Sequence, residues 1–441
     1  MGKSTRLKLN LKSHLYFYYT AEQFMLTNNF ARIGIGFTLK NFRQLISTFP
    51  KHAGSVSVVS QHRIETQVRR WNMALPKVKP YYAVKCNPDS TLLQTLYDNG
   101  AGFDCASLRE VYDVQALNKV ATPDILYAHP MKSDRDIRMV DSMGIRKTVV
   151  DSVDECFKLD SNGWRGSTLL RVAVTDSGSK MPFSVKFGAS KDEVYEIIKR
   201  SMIPITGVSF HVGSGCDSPD QYRSAIEYSA KEVFPMLERL GHSPTTLDIG
   251  GGFSSNSNEF TETANVISEA IQQYVGNQIQ VIAEPGRYIA QPCQDLFVKV
   301  IAKKPGLNGK GWRYVIDESL YGHFSCIPFD HQRPAWIHVP SDERMSLEEK
   351  EEAILFGRTC DSLDVIAKGP MEQMDVGDWL YFPLMGAYTS ATASEFNGFP
   401  KPYTMIDNEH YLPTVDNAWR LVDQVHRVKP LTYSNALVSI T

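Results

Sequence analysis

The most informative absences concern cysteine pairs, long apolar runs and net charge. The seven cysteines of this 441-residue chain are odd in number and form no Cys-x-x-Cys pair, so neither a disulfide framework nor a zinc site is expected. No apolar run approaches the roughly 18 residues of a membrane span. The formal charge of −2, from 47 basic and 49 acidic residues, gives no field that would hold nucleic acid. We therefore expect a cytoplasmic protein with no metal, nucleic-acid or membrane partner.

Acidic residues are also missing from the start of the chain, where the first one is Glu22. The basic segment before it has no apolar core of the kind that a secretory signal needs, so we do not expect a signal peptide. A weak organelle-targeting signal is the alternative. The alternation of Leu7, Leu9 and Leu11 favours a strand.

Short apolar runs alternate with helix-length amphipathic stretches between about residues 80 and 290. Eight such runs favour strands, at Tyr81–Lys85, Ala101–Asp104, Asp124–Ala128, Lys147–Asp151, Thr168–Val174, Ile205–Val212, Thr245–Ile249 and Gln280–Ala283. Ser-x-x-Glu patterns at Ser107, Ser152 and Ser190 predict helix starts between them. Eight strands, each followed by a helix, predict an α/β protein with a closed (β/α)8 barrel, and an open doubly wound sheet is the alternative.

After about residue 293 the pattern changes to strands without helices between them. These runs are Leu296–Ala302, Trp312–Ile316, Pro334–Val339 and Trp379–Phe382. They predict a second, mostly antiparallel β domain. The charged run from Asp342 to Glu352 is expected to be a solvated loop or short helix. We expect three parts: residues 1–58 as the N-terminal part of the β domain, 59–293 as the barrel, and 294–441 as the C-terminal β domain.

The loops that follow the carboxyl ends of the strands form the active face of a (β/α)8 barrel. In this sequence those ends are unusually polar. They carry Lys85, Asp104, His129, Asp151, Arg171, His211, the run Gly250–Gly252 and Glu284. This concentration of amine, imidazole, carboxylate and guanidinium groups predicts an active site at that face.

Several of these groups match one cofactor, pyridoxal phosphate. Lys85 ends an apolar strand, and a lowered amine pKa there would suit Schiff-base chemistry, although a snorkelling lysine is the structural alternative. The Gly250–Gly252 run and Arg287 could hold a phosphate, whereas a tight turn and a surface ion pair would also explain them. His211 could stack on a flat ring, and Glu284 could face a ring nitrogen.

Nine segments resemble those of the eukaryotic-type ornithine decarboxylases and run in family order. They are Tyr82–Asn87, Gly102–Ser107, Ser184–Gly188, His211–Cys216, Leu247–Phe253, Ala283–Tyr288, Thr359–Asp361, Gly386–Thr389 and Asn397–Phe399. The wider group, with an alanine-racemase-like barrel, also includes lysine, arginine and diaminopimelate decarboxylases. The resemblance implies decarboxylation of L-ornithine to putrescine and CO2 with pyridoxal 5′-phosphate, a step of polyamine biosynthesis.

The resemblance also implies roles for the cofactor-binding residues. Lys85 would join the cofactor covalently, Glu284 would pair with its ring nitrogen, and His211 would stack on its ring. The phosphate ligands would be Ser214, Gly251, Gly252, Gly286, Arg287 and Tyr388. The residues supporting the lysine and cofactor would be Asp104, Glu110 and Arg171, although Glu110 could simply complete a capping box.

The same resemblance implies a shared active site in a homodimer. Asp330 and Asp361, beside Phe329, would bind the distal ammonium of the substrate, and Cys360 would protonate the carbanion after CO2 leaves. Cys360, Asp361 and Tyr388 would enter the site from the second subunit. The residues bridging that interface would be Lys186 and Asp364.

Four positions differ from the family pattern. Phe329 stands in place of a tyrosine, Ser362 in place of a glycine, and His129 and Met131 in place of asparagine and cysteine. The first two lie near the specificity region, so a lysine/ornithine decarboxylase of mixed specificity is one alternative. A catalytically inactive regulator that binds antizyme is another, and antizyme is a possible partner. The presence of the lysine, the glycine run and the cysteine favours an enzyme.

Overall fold

The computed structural model describes residues 39–117, 124–181, 183–306, 309–342 and 350–425, so the strand expected around Leu9 lies outside the described residues. Its helices, in chain order, are α1 (Leu39–Ser47), α2 (Gln61–Ala74), α3 (Ser90–Asp98), α4 (Leu108–Gln115), α5 (Asp134–Ser142), α6 (Val153–Ser161), α7 (Lys191–Arg200), α8 (Asp220–Tyr228), α9 (Phe234–Arg239), α10 (Ser257–Tyr274), α11 (Arg287–Cys293), α12 (Cys326–Asp330) and α13 (Val415–Gln424). Its strands are β1 (Val56–Val59), β2 (Val78–Ala83), β3 (Gly102–Cys105), β4 (Ile125–Tyr127), β5 (Lys147–Val150), β6 (Ser167–Arg171), β7 (Ser179–Met181), β8 (Gly207–Ser209), β9 (Ser214–Cys216), β10 (Thr246–Asp248), β11 (Gln280–Ala283), β12 (Gln294–Pro305), β13 (Trp312–Ile316), β14 (Ile337–Val339), β15 (Lys350–Phe356), β16 (Val365–Glu372), β17 (Trp379–Phe382) and β18 (Tyr403–Ile406).

Eight parallel strands close into a barrel in the order β10-β11-β2-β3-β4-β5-β6-β8. All eight predicted strands are present, and the closed barrel is confirmed over the open sheet. Most of the predicted strands extend further toward their carboxyl ends than the observed ones, because the chain turns out of the sheet there into the loops of the active face. Tyr81, Leu126, Val149, Leu169 and Ile282 form a buried cluster contributed by five of these strands.

Serine caps begin the predicted helices. The side-chain oxygens of Ser107, Ser152 and Ser190 each accept the backbone N–H three residues later. At Ser190 the acid at that position also returns a hydrogen bond to the cap, as in a complete capping box. Glu110 instead accepts the N–H of Ala106 at 2.6 Å. Glu110 thus lies in the first turn of α4, but with its carboxylate on Ala106 it does not form the complete capping box seen at Ser190.

The second sheet has the order β14-β17-β12-β13-β15-β16, with β1 paired to both β12 and β18. It is mostly antiparallel, as predicted, although β13 pairs with β15, and β1 with β18, in parallel. The expectation of a loop or short helix up to Glu352 is wrong at residues 350–352, which begin β15. The charged side chains there are solvent-exposed while the backbone pairs with β16, so charge did not exclude a strand. The predicted domain boundaries stay a prediction.

A buried ion pair joins the barrel to this sheet. Arg63 of α2 donates from Nη1 to Asp295 Oδ1 at 2.9 Å, and the two side chains are 2% and 0% exposed. Arg63 Nε also donates to the carbonyl of Pro413, and the Tyr381 hydroxyl donates to Asp295 Oδ2 at 2.6 Å. Within the described residues, no helix has the length and hydropathy needed to cross a membrane.

We expect Arg63→Met to lower the free energy of unfolding by about 3–5 kcal/mol, because the change leaves the Asp295 carboxylate buried without its cation. Denaturant unfolding of the purified variant measures this. Arg109→Met is the matched control, since Arg109 also pairs with an aspartate at 2.9 Å but is 83% exposed. The control should cost less than about 1 kcal/mol. Equal losses in the two variants would contradict the role of Arg63.

Candidate active site

Lys85 lies in the tight turn directly after β2, at the active face of the barrel. Its Nζ donates to Asp104 Oδ2 on the neighbouring strand at 2.8 Å. The prediction of a lowered pKa for Lys85 is wrong. Burial alone would lower it, but the carboxylates of Asp104 and Glu284 outweigh burial and raise the pKa of the amine. The lysine is therefore held as an ammonium and must lose a proton before it can act as a nucleophile.

His211 follows β8 and presents a neutral ring. Burial, together with the charges of Arg171 and Lys85, lowers the pKa of His211 well below its usual value. Its Nδ1 accepts the Gly213 N–H at 3.0 Å, so the neutral ring carries its proton on Nε2. The ring of Phe183 lies 4.9 Å away between centroids. A fixed, uncharged ring of this kind can pack against a flat aromatic ligand.

Two buried carboxyl groups follow neighbouring strands. Glu284 comes directly after β11, and Asp248 ends β10. Burial, followed by repulsion from Asp248 and Asp104, raises the pKa of Glu284 well above its usual value. Burial also raises the pKa of Asp248 to about 6. Asp248 was not among the predicted site residues, although its position at a buried strand end before the glycine run indicates a site residue.

Asp248 is tied to the loops around it. Its Oδ1 accepts the Gly250 N–H at 2.9 Å, and its Oδ2 accepts the Ser209 hydroxyl at 3.3 Å. The side chain is fully buried. Asp248 therefore anchors the start of the glycine run and lies next to the carboxyl group of Glu284.

The glycine run packs closely against the neighbouring strand ends. A Cβ at Gly251 would lie 2.7 Å from the Glu284 carbonyl oxygen and 2.9 Å from His211 Nε2. Gly252 has a φ of +106°, which side chains rarely adopt. Gly286 lies directly before Arg287, where α11 begins. The glycines therefore let these turns pack directly against neighbouring backbone and against His211, which a side chain at Gly251 or Gly252 would prevent.

Arg287 gathers the other predicted phosphate ligands. Its Nη2 donates to Ser214 Oγ at 3.3 Å, and its guanidinium lies 5.2 Å from the centre of the Tyr388 ring. The Tyr388 N–H bonds the carbonyl of Cys86 at 2.9 Å, next to Lys85 in the chain. The expectation that Tyr388 enters from a second subunit is therefore wrong. The loop after β17 packs onto the barrel of its own chain.

The predicted substrate residues fall into two groups. Asp330, at the end of α12, pairs with Arg287 at 2.6 Å, and its neighbour Phe329 is 68% exposed. Cys360 and Asp361 lie on the loop between β15 and β16. Cys360 is exposed and its N–H bonds the side chain of Asn397 at 3.1 Å.

Asp361 is oriented by two hydrogen bonds. It accepts the hydroxyl of Tyr321 and the N–H of Leu363. None of these contacts of Cys360 and Asp361 is with a barrel residue. The structure thus brings Asp330 to the lysine site and leaves Cys360 and Asp361 on an exposed part of the β domain. Sequence reasoning missed Tyr321, because its partner is 40 residues away in the chain.

Asp364 differs from the expectation that it bridges two subunits. It is 1% exposed, its Oδ2 accepts the Thr359 hydroxyl at 2.6 Å, and its Oδ1 accepts the Leu320 N–H at 2.8 Å. Asp364 is better explained as the anchor of this turn than as half of an intersubunit ion pair. Its expected partner Lys186 is exposed, with Nζ 4.9 Å from the centre of the Phe187 ring.

The donor set fits pyridoxal phosphate. An amine, a glycine turn without side chains and a guanidinium meet at one face with a flat neutral ring and a buried carboxyl group. Asp104 Oδ1 is buried without a hydrogen-bond partner, as expected of a carboxylate that supports a further group. Within the described ranges, no three His, Cys, Asp or Glu side chains gather in a way that could hold a metal ion.

We expect Asp248→Asn to flatten the pH dependence of stability in the cofactor-free protein. The pKa of Asp248 is raised from 3.8 to about 6 on folding, so the folded state binds the extra proton. Its contribution to stability is complete below the unfolded pKa and is lost as pH rises through about 6. Between pH 5 and 7 the wild type should therefore lose about 1 kcal/mol of stability through this group, whereas the amide of the variant does not titrate.

Denaturant unfolding at several pH values measures this difference. Asp220→Asn is the control, because the Asp220 side chain is 84% exposed and should leave the slope unchanged. An unchanged slope in Asp248→Asn would mean that this carboxyl group titrates normally in the folded protein.

Comparison with known proteins agrees with this geometry. The family described as "Pyridoxal-dependent decarboxylase, pyridoxal binding domain" matches residues 61–291. An ornithine decarboxylase of Schizosaccharomyces pombe is 38% identical over 84% of this chain and 88% of its own length. A protein named antizyme inhibitor 2, of Xenopus laevis, is 38% identical over 81% of this chain and 80% of its own length.

A solved structure extends the likeness to the whole fold. The arginine decarboxylase of Paramecium bursaria Chlorella virus, bound to agmatine, has a TM-score of 0.79 and 32% identity, covering 84% of this chain and all of that one. The family match spans the barrel, and the overall similarity reaches through the β domain. The chain belongs to the pyridoxal-dependent decarboxylases.

Proposed function

We propose that this chain is a carboxy-lyase that converts L-ornithine to putrescine and CO2 with pyridoxal 5′-phosphate as its cofactor. The observation that carries the proposal is the Lys85–Asp104 pair at the strand ends, beside Glu284 and His211. Ornithine decarboxylases that are 37–38% identical over most of the chain support ornithine as the substrate. The product is a diamine, so the enzyme would serve polyamine biosynthesis, and we place it in the cytoplasm.

The residues that would hold the cofactor divide by chemistry. Lys85 would hold its aldehyde carbon, with Asp104 and Arg171 in support, His211 would pack against its ring, and Glu284 would face its ring nitrogen. The groups that would hold its phosphate are Ser214, Gly251, Gly252, Gly286, Arg287 and Tyr388.

Bound pyridoxal phosphate supplies a conjugated ring that takes up the electron pair left at the α-carbon when CO2 departs. Asp104 Oδ2, at 2.8 Å, is placed to accept the proton that the Lys85 ammonium must lose. Burial and the nearby carboxyl groups of Asp248 and Asp104 raise the pKa of Glu284, so a proton would be held between Glu284 and the nitrogen that faces it. His211 is neutral and adds no charge against that proton.

The far end of the substrate calls for a second set of residues. We propose that Asp330 and Asp361 bind the distal ammonium beside Phe329 and that Cys360 returns a proton to the α-carbon. A substrate with a short side chain would leave these carboxylates unpaired, which is costly. Phe329 and Ser362 keep a mixed lysine/ornithine specificity as the alternative.

We propose a homodimer in which Cys360 and Asp361 complete the site of the other subunit. The exposure of Cys360 and the contacts of both residues within the β domain support this arrangement. Tyr388 is not part of the exchange, because it lies beside the Arg287 of its own chain.

A catalytically inactive, antizyme-binding regulator is the second candidate, motivated by the similarity to antizyme inhibitor 2. The Lys85–Asp104 ion pair and the presence of the glycine run favour the enzyme. Antizyme stays a possible partner of either.

We expect the purified protein to release CO2 from ornithine faster than from lysine or arginine, and to do so only with pyridoxal phosphate. Lys85→Ala should abolish this activity. Borohydride treatment of the wild type should fix the cofactor onto the peptide that contains Lys85, as mass spectrometry would show.

Lys79→Ala is the matched control. Lys79 lies on the same strand but pairs with Asp124 at the opposite end of the barrel, so this variant should keep the cofactor and the activity. A wild type that binds antizyme but neither holds the cofactor nor releases CO2 would favour the inactive regulator.

We expect mixed subunits to restore activity if the sites are shared. Lys85→Ala and Cys360→Ala homodimers should each be severely impaired, and random re-association should regain at most about a quarter of wild-type activity, because half the dimers are mixed and each has one intact site. CO2 release before and after mixing measures this. No recovery, with exchange verified by tagged subunits, would place each site within one chain.

A further inference from the structure

A chain reversal after α12 brings Gln332 back onto the end of that helix. His331 adopts the left-handed conformation, with a φ of 53°, and the Gln332 N–H bonds the Cys326 carbonyl at 3.1 Å. The Gln332 side chain then reaches two acceptors: Nε2 donates to Asp330 Oδ2 at 2.5 Å and to the Ala387 carbonyl at 2.7 Å. Gln332 therefore links the helix end to the loop that carries Tyr388.

Asp330 is held from its other side by Arg287. The guanidinium donates to Oδ1 at 2.6 Å, and the Asp330 side chain is 6% exposed. Its two oxygens thus have different donors on different elements, and this fixes the plane of the carboxylate. An arginine has five N–H donors, so Arg287 can hold Asp330 and still bind a phosphate.

We propose that Gln332 is a positioning residue that fixes the Asp330 carboxylate at a set distance from the phosphate-binding Arg287 and so selects the length of the diamino acid. The inference rests on the proposed function, in which Asp330 receives the distal ammonium.

The selection follows from the rigidity of this arrangement. A carboxylate that cannot rotate can pair with the distal ammonium of a substrate of one side-chain length. The ammonium of a substrate that is one methylene longer would be misplaced for this pairing. The adjacent Phe329 has no hydrogen-bonding group in its side chain, so Gln332 supplies the neutral donor at this carboxylate. Differences of one methylene are commonly discriminated about 10- to 200-fold by enzyme sites.

The test uses Gln332→Ala in the cofactor-loaded protein. Loss of a hydrogen bond to a charged group should raise the KM for ornithine about tenfold or more, with a smaller change in kcat. The preference for ornithine over lysine should fall, and the dissociation constant of putrescine, measured by calorimetry, should rise by a similar factor. Affinity for pyridoxal phosphate should stay the same, because Arg287 keeps its place.

A second variant separates positioning from folding. Gln332→Glu places a carboxylate against Asp330 at neutral pH and should raise the KM for ornithine more than Gln332→Ala does. As the pH falls and the new side chain becomes protonated, its O–H can replace the lost donor, so the KM should recover relative to wild type. A merely structural loss would show no such recovery.

Gln115→Ala is the matched control, because Gln115 is also half-buried and donates to a backbone carbonyl, that of Met143, at 3.0 Å. It should behave as wild type. The inference alone is overturned if the wild type decarboxylates ornithine and both Gln332 variants keep its KM, its preference and its affinity for putrescine. If the wild type neither decarboxylates a diamino acid nor binds putrescine, the proposed function fails and the inference fails with it.

Discussion

Carboxyl groups outnumber cationic groups at the active face, where Asp104, Asp248 and Glu284 face Lys85 and Arg171. In a medium that screens poorly, this imbalance holds the lysine as an ammonium and keeps protons on neighbouring carboxyl groups. A cofactor ring that carries a proton opposite Glu284 would relieve it. The charged groups at this face therefore match the ring that the reaction needs, and the other contacts of the site serve to orient that ring.

The barrel was predictable because its signals are local. Apolar runs of strand length, separated by serine-capped helices, gave all eight strands, and the barrel rule then placed the polar strand ends at one face. The pKa of Lys85 was not predictable in this way. Burial of a strand-end lysine argues for a lower pKa. Barrel closure, however, brings Glu284, which is distant in sequence, and Asp104 of the next strand close to the amine. Asp248 was not predicted, although it ends a buried strand two residues before its partner Gly250.

The β domain was harder to read because its decisive contacts join distant parts of the chain. The Tyr388 N–H reaches Cys86 across about 300 residues of sequence, and it places that tyrosine in its own subunit. The carboxylate of Asp364 was expected to bridge a subunit interface, but it accepts a hydrogen bond from Thr359 in its own turn. Family resemblance singled out both residues. It could not say which chain or which hydrogen bonds each side chain would use.

The junction between barrel and sheet limits how a substrate can enter. The buried ion pair between Arg63 and Asp295 joins the two parts. The backbone hydrogen bond from Tyr388 to Cys86 joins them a second time, beside Lys85. Because of these two contacts, the barrel and the β domain cannot separate by a hinge motion without breaking buried polar interactions. Substrate entry and product release should instead depend on small local movements of the loops at the active face. The rates of these two steps are then set by those loops and not by a domain hinge.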